Sequence, residues 1–189
     1  MMLLIAGILI FFSIHLIPIF SIKERLIERW GEMPYMGLFS LVAGLGLGLI
    51  IYGKATALFI AFWQPMTGSQ WVPIVLMLPA FILISWAYVP GHLKNTLKHP
   101  MLMGVTLFSI SHLSVNGDLA SLLLFGSFLF YSLMTMARLL KKSNSTDVKL
   151  NRVAFKMNVW DVIAMVAGIL IYALAFFYHV KITGVGIQF

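Results

Sequence analysis

The sequence has 189 residues, of which 61% are apolar and only 10% are charged, whereas soluble domains have about 45–50% apolar and about 25% charged residues. Its mean hydropathy of +0.98 leaves too little polar surface to coat a water-soluble globule. Its lack of cysteine excludes thiolate catalysis, Cys-ligated zinc, iron–sulfur clusters and covalent c-type haem attachment. These features predict an integral membrane protein surrounded by the lipid bilayer.

Six runs of the chain carry no charged residue and predict the spanning helices. In chain order the runs are residues 1–22, 33–53, 55–93, 101–117, 119–137 and 162–180. A spanning helix needs about 20 residues, so five runs fit one helix each. Run 55–93 is longer, and we expect it to begin as an interfacial stretch with Trp63 and Trp71 in the aromatic belt, followed by one helix over about 72–89. The prediction is an all-α, six-helix polytopic bundle that forms a single domain over residues 1–189.

The positive charges predict the orientation of this bundle. Eleven of the 13 Lys and Arg residues lie in the first, third and fifth loops, and only Lys54 and Lys181 lie elsewhere. By the positive-inside rule these loops face the cytoplasm and both termini face the periplasm, which predicts a multi-pass protein of the bacterial inner membrane. The basic loop 141–156 is interpreted as a topogenic anchor, so no nucleic-acid partner is expected.

Two short patterns predict how helices meet. Asn116, Gly117 and Asp118 join the fourth and fifth predicted helices, with Gly117 expected to adopt a left-handed cap and Asp118 to cap the next helix.

The second pattern is the recurrence of Ser40, Gly44 and Gly48 every four residues in the second helix. Such a stripe favours close contact with another helix, and a flat cofactor lying on Gly44 and Gly48 is the alternative. Ala164 and Gly168 repeat the pattern more weakly in the sixth helix.

Polar side chains at membrane depth are where function is expected. No Asp, Glu, Lys or Arg lies in mid-span, so the machinery of a proton-coupled pump or a charged-substrate carrier is not evident. His15 lies in the first helix, and Pro18 is expected to distort that helix because it cannot donate to the carbonyl of Ile14. His112 lies in the fourth helix. Both histidines should face the bundle interior, since burial against lipid would desolvate their ring nitrogens.

Two histidines on neighbouring helices can hold the iron of haem b as axial ligands, because neutral imidazole is a good iron ligand. The alternative is that His15 and His112 each form a hydrogen bond to a neighbouring helix. His99 precedes Pro100 at the predicted start of the fourth helix and lies about 140° around that helix from His112, so the two do not face one pocket. Capping, contact with a lipid headgroup and a secondary cofactor contact are the alternatives for His99. His92 and His179 are predicted to be interfacial.

The segment KHPMLMGVTLFSISHLSVNGDLASLLLFG, residues 98–126, resembles the NnrU family, whose pattern is an HP pair, a histidine thirteen residues later, and NGD. The early His15 and the six-helix layout extend the resemblance over nearly the whole chain. NnrU proteins are linked to bacterial nitrite and nitric oxide reduction, that is, to denitrification.

The family is similar to plant ζ-carotene isomerase, a membrane enzyme that uses haem b in its reduced state. By that resemblance His15 and His112 match the axial haem-ligand positions. A weaker likeness is to isoprenylcysteine methyltransferases, whose RHPxYxG motif corresponds to Lys98, His99, Pro100 and Gly104. The charged C-terminal half of that site is missing because no glutamate follows Glu32, so methyl transfer is not expected.

The membrane-depth histidines together with the resemblance predict a haem b protein with an apolar or gaseous ligand. The resemblance implies a role in nitrite and nitric oxide metabolism or in redox-dependent polyene isomerisation. The competing prediction is a non-enzymatic assembly or scaffold factor for a respiratory reductase. In that case the histidines only bridge helices.

Overall fold

The computed structural model describes residues 1–20, 22–92, 97–145 and 157–183. The secondary structure of these residues is helical apart from one isolated β-bridge, between Ala61 and Asp118, which confirms the all-α class. Their seven α-helices are α1 (Met2–Leu16), α2 (Ile22–Trp30), α3 (Glu32–Ala55), α4 (Trp71–Tyr88), α5 (Pro100–Val115), α6 (Leu119–Ser145) and α7 (Val159–Thr183). A 3₁₀-helix, Ile17–Phe20, follows α1 directly.

Five helical segments of the described chain are long and apolar enough to cross a membrane. They are Met2–Phe20, Glu32–Ala55, Trp71–Tyr88, Leu119–Lys141 and Val159–His179. Large apolar side chains on them are exposed, such as Leu41 (74%) and Phe177 (78%), which suits helices surrounded by lipid rather than water. The chain is therefore a multi-pass membrane protein. The fourth predicted helix corresponds to α5, a shorter apolar helix of 16 residues.

The expected distortion of the first helix at Pro18 is a change from α-helix to 3₁₀-helix after Leu16. Pro18 has no N–H with which to reach the carbonyl of Ile14. The N–H of Ile17 donates to that carbonyl instead. This hydrogen bond spans three residues rather than four, which is the spacing of the 3₁₀-helix that follows.

Helix α2 was not predicted, because its charged residues interrupt the apolar pattern used to find the spans. It lies in the first loop, and Gly31, with φ of +86°, separates it from α3. A side chain would be strained at that φ, so glycine suits the sharp change of direction.

The helices form two compact units, and the first contains Met1–Phe62 and Asp118–Ser127. In this unit α1 and α3 run antiparallel. A Cβ atom built on Gly46 would lie 2.8 Å from the backbone nitrogen of Phe11, and one on Gly7 would lie 2.6 Å from that of Ile50. Gly53 packs equally closely against the backbone of Leu4. Glycine thus permits the two backbones to touch along the whole interface.

The predicted contact stripe of α3 was wrong. Ser40, Gly44 and Gly48 are exposed, and a Cβ atom on either glycine would meet no atom of the described residues within 4 Å. The contacts instead use Gly46 and Gly53, which are seven residues apart and therefore share another face of the helix.

The second unit contains Trp63–Gly117 and Phe128–Phe189, and in it α5 and α7 both pack against α4. Gly104 of α5 lies against Ala80 and Ile84, and Gly168 of α7 lies against Ile82. Ala164 is fully buried. The expected contact role of Ala164 and Gly168 is therefore confirmed.

The turn between α5 and α6 was predicted only in part. Asp118 caps α6 as expected, since its Oδ1 accepts a hydrogen bond from the backbone N–H of Ser121 at 3.0 Å. Gly117 is not left-handed: among the described residues only Gly31, Gly68 and Lys98 have positive φ. Glycine is needed at position 117 because a Cβ atom would collide with the carbonyl oxygen of Trp63.

Candidate functional site

His15 lies near the C-terminal end of α1, in the first unit. Its Nδ1 donates to the carbonyl oxygen of Phe11 at 2.7 Å; the ring nitrogen must be the donor because a carbonyl only accepts. The imidazole stacks on the Phe11 ring, with centroids 4.1 Å apart and an interplanar angle of 26°. The edge of Phe39 from α3 lies 5.2 Å away. His15 is thus half-buried among aromatic rings on the side of α1 that faces α3.

His112 lies near the C-terminal end of α5, in the second unit, and repeats this geometry. Its Nδ1 donates to the carbonyl oxygen of Phe108 at 2.9 Å, and its ring lies 4.3 Å from the Phe108 ring at 40°. Asn116 donates its side-chain N–H to the backbone carbonyl of His112 at 2.7 Å. The adjacent Ser111 is fully buried, and its Oγ has no hydrogen-bond partner within the part of the chain that the structure describes.

The two histidines have the ring chemistry that haem ligation needs. When Nδ1 of a neutral imidazole carries the proton, the lone pair resides on Nε2, and metal-bound histidines commonly donate their other N–H to a backbone carbonyl. No cluster of three or more His, Asp or Glu side chains that could hold a metal ion occurs among the described residues. Haem iron needs only one or two side-chain ligands. His15 and His112 therefore fit the role of axial ligand.

The other three histidines have different surroundings. His99 is the N-cap of α5, with Pro100 at the first helical position as predicted, and its side chain makes no capping hydrogen bond among the residues that the structure describes. The backbone N–H of His92 donates to Oδ2 of Asp161 at 3.1 Å. His179, near the end of α7, lies within range of electrostatic interaction with His112, a proximity that sequence reasoning missed.

An apolar groove of about 350 Å³ opens beside α1 in the first unit. It is lined by Leu9, Ile10, Ser13, Ile14, Ile17 and Val42. His15 lies on another face of α1, about 200° from Ser13 at 100° per residue. The groove and the histidine are therefore separate features of this helix.

Asp161 is the centre of a buried hydrogen-bond cluster that was not predicted from the sequence. It is fully buried at the start of α7 and exchanges hydrogen bonds with Asn158: Oδ2 accepts from the Asn158 N–H at 2.9 Å, and the Asp161 N–H donates to Asn158 Oδ1 at 3.0 Å. Trp86 donates its indole N–H to the Asp161 carbonyl at 3.0 Å. The Asn-x-x-Asp spacing is a capping-box signal, and it could have revealed this helix start.

Another polar cluster, formed by Lys54, Asp118 and Ser121, lies in the first unit, where α3 ends and α6 begins. Lys54 donates to Asp118 Oδ1 at 2.8 Å and to Ser121 Oγ at 2.7 Å, and the Ser121 hydroxyl donates to Asp118 Oδ2 at 2.5 Å. Burial raises the pKa of Asp118, but the hydrogen bonds and the charge of Lys54 outweigh it and hold the pKa below its ordinary value. The ionised carboxylate is therefore the form that joins these two helix ends.

A family model described as NnrU protein matches residues 3–187 of the chain. The chain belongs to the NnrU protein family. This confirms the family suggested by the HP, histidine and NGD pattern, and the matched NnrU region includes all five histidines. No curated protein and no solved structure matches the chain.

Proposed function

We propose that this NnrU protein binds haem b with His15 and His112 as its axial ligands. The observation that carries the proposal is the matched geometry of the two side chains: each donates Nδ1–H to a backbone carbonyl four residues earlier, which leaves the Nε2 lone pair as the donor atom for iron. Both lie in apolar helices, where an isolated polar ring is costly unless it has a function or a partner.

Each residue around the proposed ligands has a definite task. Phe11 and Phe39 place aromatic carbon against His15, which shields part of the imidazole from its surroundings. The Asn116 amide bonds the backbone carbonyl of His112 at the helix end, so the last turn of α5 keeps its shape. These contacts orient the two rings before any cofactor binds.

Haem bound at these residues would supply a redox-active iron that takes up nitric oxide or activates a conjugated polyene once one ligand position opens. The NnrU membership supports the link to nitrite and nitric oxide metabolism. The resemblance to plant ζ-carotene isomerase supports the alternative role, redox-dependent isomerisation of a polyene.

We also propose that α5 crosses the membrane in addition to the five long apolar segments, which gives six crossings. Both termini then lie in the periplasm of a bacterial inner membrane. Lys54 at the end of α3 contacts Asp118 before α6, so the chain comes back to the same end of the first unit after passing through α4 and α5. That return supports two crossings in between. The excess of Lys and Arg in the odd loops supports the orientation.

The proposal is tested by haem content in single histidine variants. We expect the detergent-purified wild type, expressed with haem supplied, to carry about one haem per chain. His15→Ala and His112→Ala should each convert the low-spin spectrum to high-spin or lose the haem, because each removes one axial ligand.

His99→Ala is the matched control and should retain the wild-type spectrum. Unchanged haem content and spectrum in both His15→Ala and His112→Ala would overturn the proposal. Loss of haem in His99→Ala, with His112→Ala unaffected, would replace His112 by His99 as the ligand.

The exposed stripe of α3 supports a second candidate function, as an assembly factor for a respiratory reductase. Ser40, Gly44 and Gly48 are open to the surroundings, and small residues in this spacing allow a partner helix to approach closely. This function predicts a colourless protein that co-purifies with a reductase subunit. Gly44→Leu should abolish the co-purification, whereas His15→Gln and His112→Gln should not.

A further inference from the structure

The sequence contains the same five-residue pattern, F-x-x-x-H, at both candidate ligands. Phe11 precedes His15 by four residues in α1, and Phe108 precedes His112 by four residues in α5. Side chains four apart lie one above the other on the same helix face, so both helices are able to place a phenyl ring directly beside the imidazole.

The structure shows that each phenylalanine holds its histidine in two ways. Its carbonyl accepts the Nδ1–H, at 2.7 Å for Phe11 and 2.9 Å for Phe108. Its ring lies against the imidazole: the Phe11 ring is stacked at 4.1 Å between centroids, and the Phe108 ring is tilted by 40° at 4.3 Å. The hydrogen bond selects the tautomer, and the adjacent ring restrains rotation of the imidazole about its bond to Cβ.

The first of these pairs is held in place by α3. A Cβ atom on Gly46 would lie 2.8 Å from the backbone nitrogen and 3.0 Å from the Cβ atom of Phe11, so α3 presses on the residue that supports His15. Phe39 of the same helix contacts the imidazole edge-on. The position of His15 is thereby coupled to the packing of α1 on α3.

We propose that Phe11 and Phe108 are positioning residues: each fixes one histidine in the Nδ1–H tautomer and presents its Nε2 for ligation. The ligand role of the histidines rests on the haem function proposed above. The tautomer and the orientation of each ring are properties of the protein alone and are measurable without haem.

The first experiment is NMR spectroscopy of the haem-free full chain with ¹⁵N-labelled histidine. His15→Gln and His112→Gln assign the two signals, and in the wild type both histidines should show the Nδ1–H tautomer. Phe11→Leu keeps the backbone carbonyl but removes the ring, so the His15 imidazole should rotate away from that carbonyl and its signal should become a mixture of tautomers, with His112 unchanged. Phe108→Leu should do the reverse. Phe130→Leu, which removes an exposed ring of α6, is the control and should change neither signal.

The conservative variants Phe11→Tyr and Phe108→Tyr keep an aromatic ring and should keep the wild-type tautomer. A Leu variant that has lost its fold is recognised separately, because all of its histidine signals would broaden. The proposal is overturned if the folded Leu variants retain a single Nδ1–H tautomer, or if the Tyr variants lose it.

The second experiment measures haem binding by the same variants. Loss of support for a metal-bound histidine typically lowers affinity by about 10–100-fold, and we expect Phe11→Leu and Phe108→Leu to weaken haem binding in that range. If the wild type binds no haem but the NMR result is as expected, the positioning role stands and the haem function fails. If the wild type binds haem and the Leu variants bind it equally well with an unchanged tautomer, the haem function stands and the positioning role fails.

Discussion

At the scale of single residues, Asp118 connects two helix ends through several contacts. Its carboxylate caps α6 through Ser121 and pairs with Lys54 of α3. The Asp118 side chain is only 9% exposed, whereas Lys54 is 32% exposed. The cap and the partly buried ion pair therefore depend on the same ionised group.

We expect Asp118→Ala to lower the free energy of unfolding by about 1–2 kcal/mol, because it removes both the cap and the partner of Lys54. Asp118→Asn keeps an oxygen that can cap the helix and should cost less. Thermal unfolding of the purified variants would measure both effects. Equal stability of wild type and Asp118→Ala would show that this cluster does not hold the two helices.

The same carboxylate predicts a dependence of stability on pH. Since the pKa of Asp118 is lowered on folding, its contribution is fully present above its ordinary pKa of 3.8 and is lost as the pH falls through the lowered value in the folded protein. We expect unfolding curves of wild type and Asp118→Asn to converge below pH 3.8. If the stability difference between wild type and Asp118→Asn stayed constant throughout the acid range, the predicted pH dependence would be wrong.

At the scale of helices, glycines fix the packing of α1 on α3. Gly46 and Gly53 lie where the backbones touch, while a Cβ atom added to Gly44 or Gly48, on another face of α3, would meet no atom of residues 1–20, 22–92, 97–145 or 157–183 within 4 Å. The chain therefore offers a matched pair of substitutions two residues apart in one helix.

We expect Gly46→Ala to destabilise the protein by about 1–3 kcal/mol, because the new methyl group overlaps the backbone of Phe11. Gly44→Ala should stay within about 1 kcal/mol of the wild type, since its methyl group enters open space. Thermal unfolding in detergent measures both. The reverse order of stability would mean that α1 packs on the other face of α3.

Spans were predictable from the sequence, and their contact faces were not. An apolar run without charge has the length of a membrane crossing, so its ends mark the helix ends, as the observed Glu32–Ala55 against the expected 33–53 illustrates. Small residues recur on more than one face of α3, and the sequence does not say which face meets another helix. The sequence pattern therefore predicts a helix contact at Gly44, whereas the contact with α1 is made at Gly46.

The sequence names His15 and His112 as candidate ligands, which remains a prediction, and it only partly predicts the side chains around them. His15 and His112 stood out because polar side chains are rare in apolar helices. The phenylalanines four residues before them are visible in the sequence, but phenylalanine is common in this chain, and only the ring and carbonyl contacts give it a role. Asp161 escaped notice because a charged residue at the edge of an apolar run is usually a solvated helix end.

At the scale of the whole molecule, the absence of cysteine allows the topology to be mapped with single cysteines. Glu28, Met66 and Lys141 are exposed in the first, second and fifth loops. We expect a membrane-impermeant maleimide to label Met66→Cys in spheroplasts, and Glu28→Cys and Lys141→Cys only after the membrane is opened. Opposite sides for Glu28 and Lys141 would show that α5 does not cross.

The central claim, haem b held by His15 and His112, is tested most directly by the absorption spectrum of the purified protein, oxidised and dithionite-reduced, with a pyridine haemochrome assay. We predict a low-spin Soret band and sharp α and β bands on reduction, both lost in the double variant His15→Ala/His112→Ala. A flat spectrum from wild-type protein expressed with haem supplied, or a wild-type spectrum from the double variant, would contradict the claim.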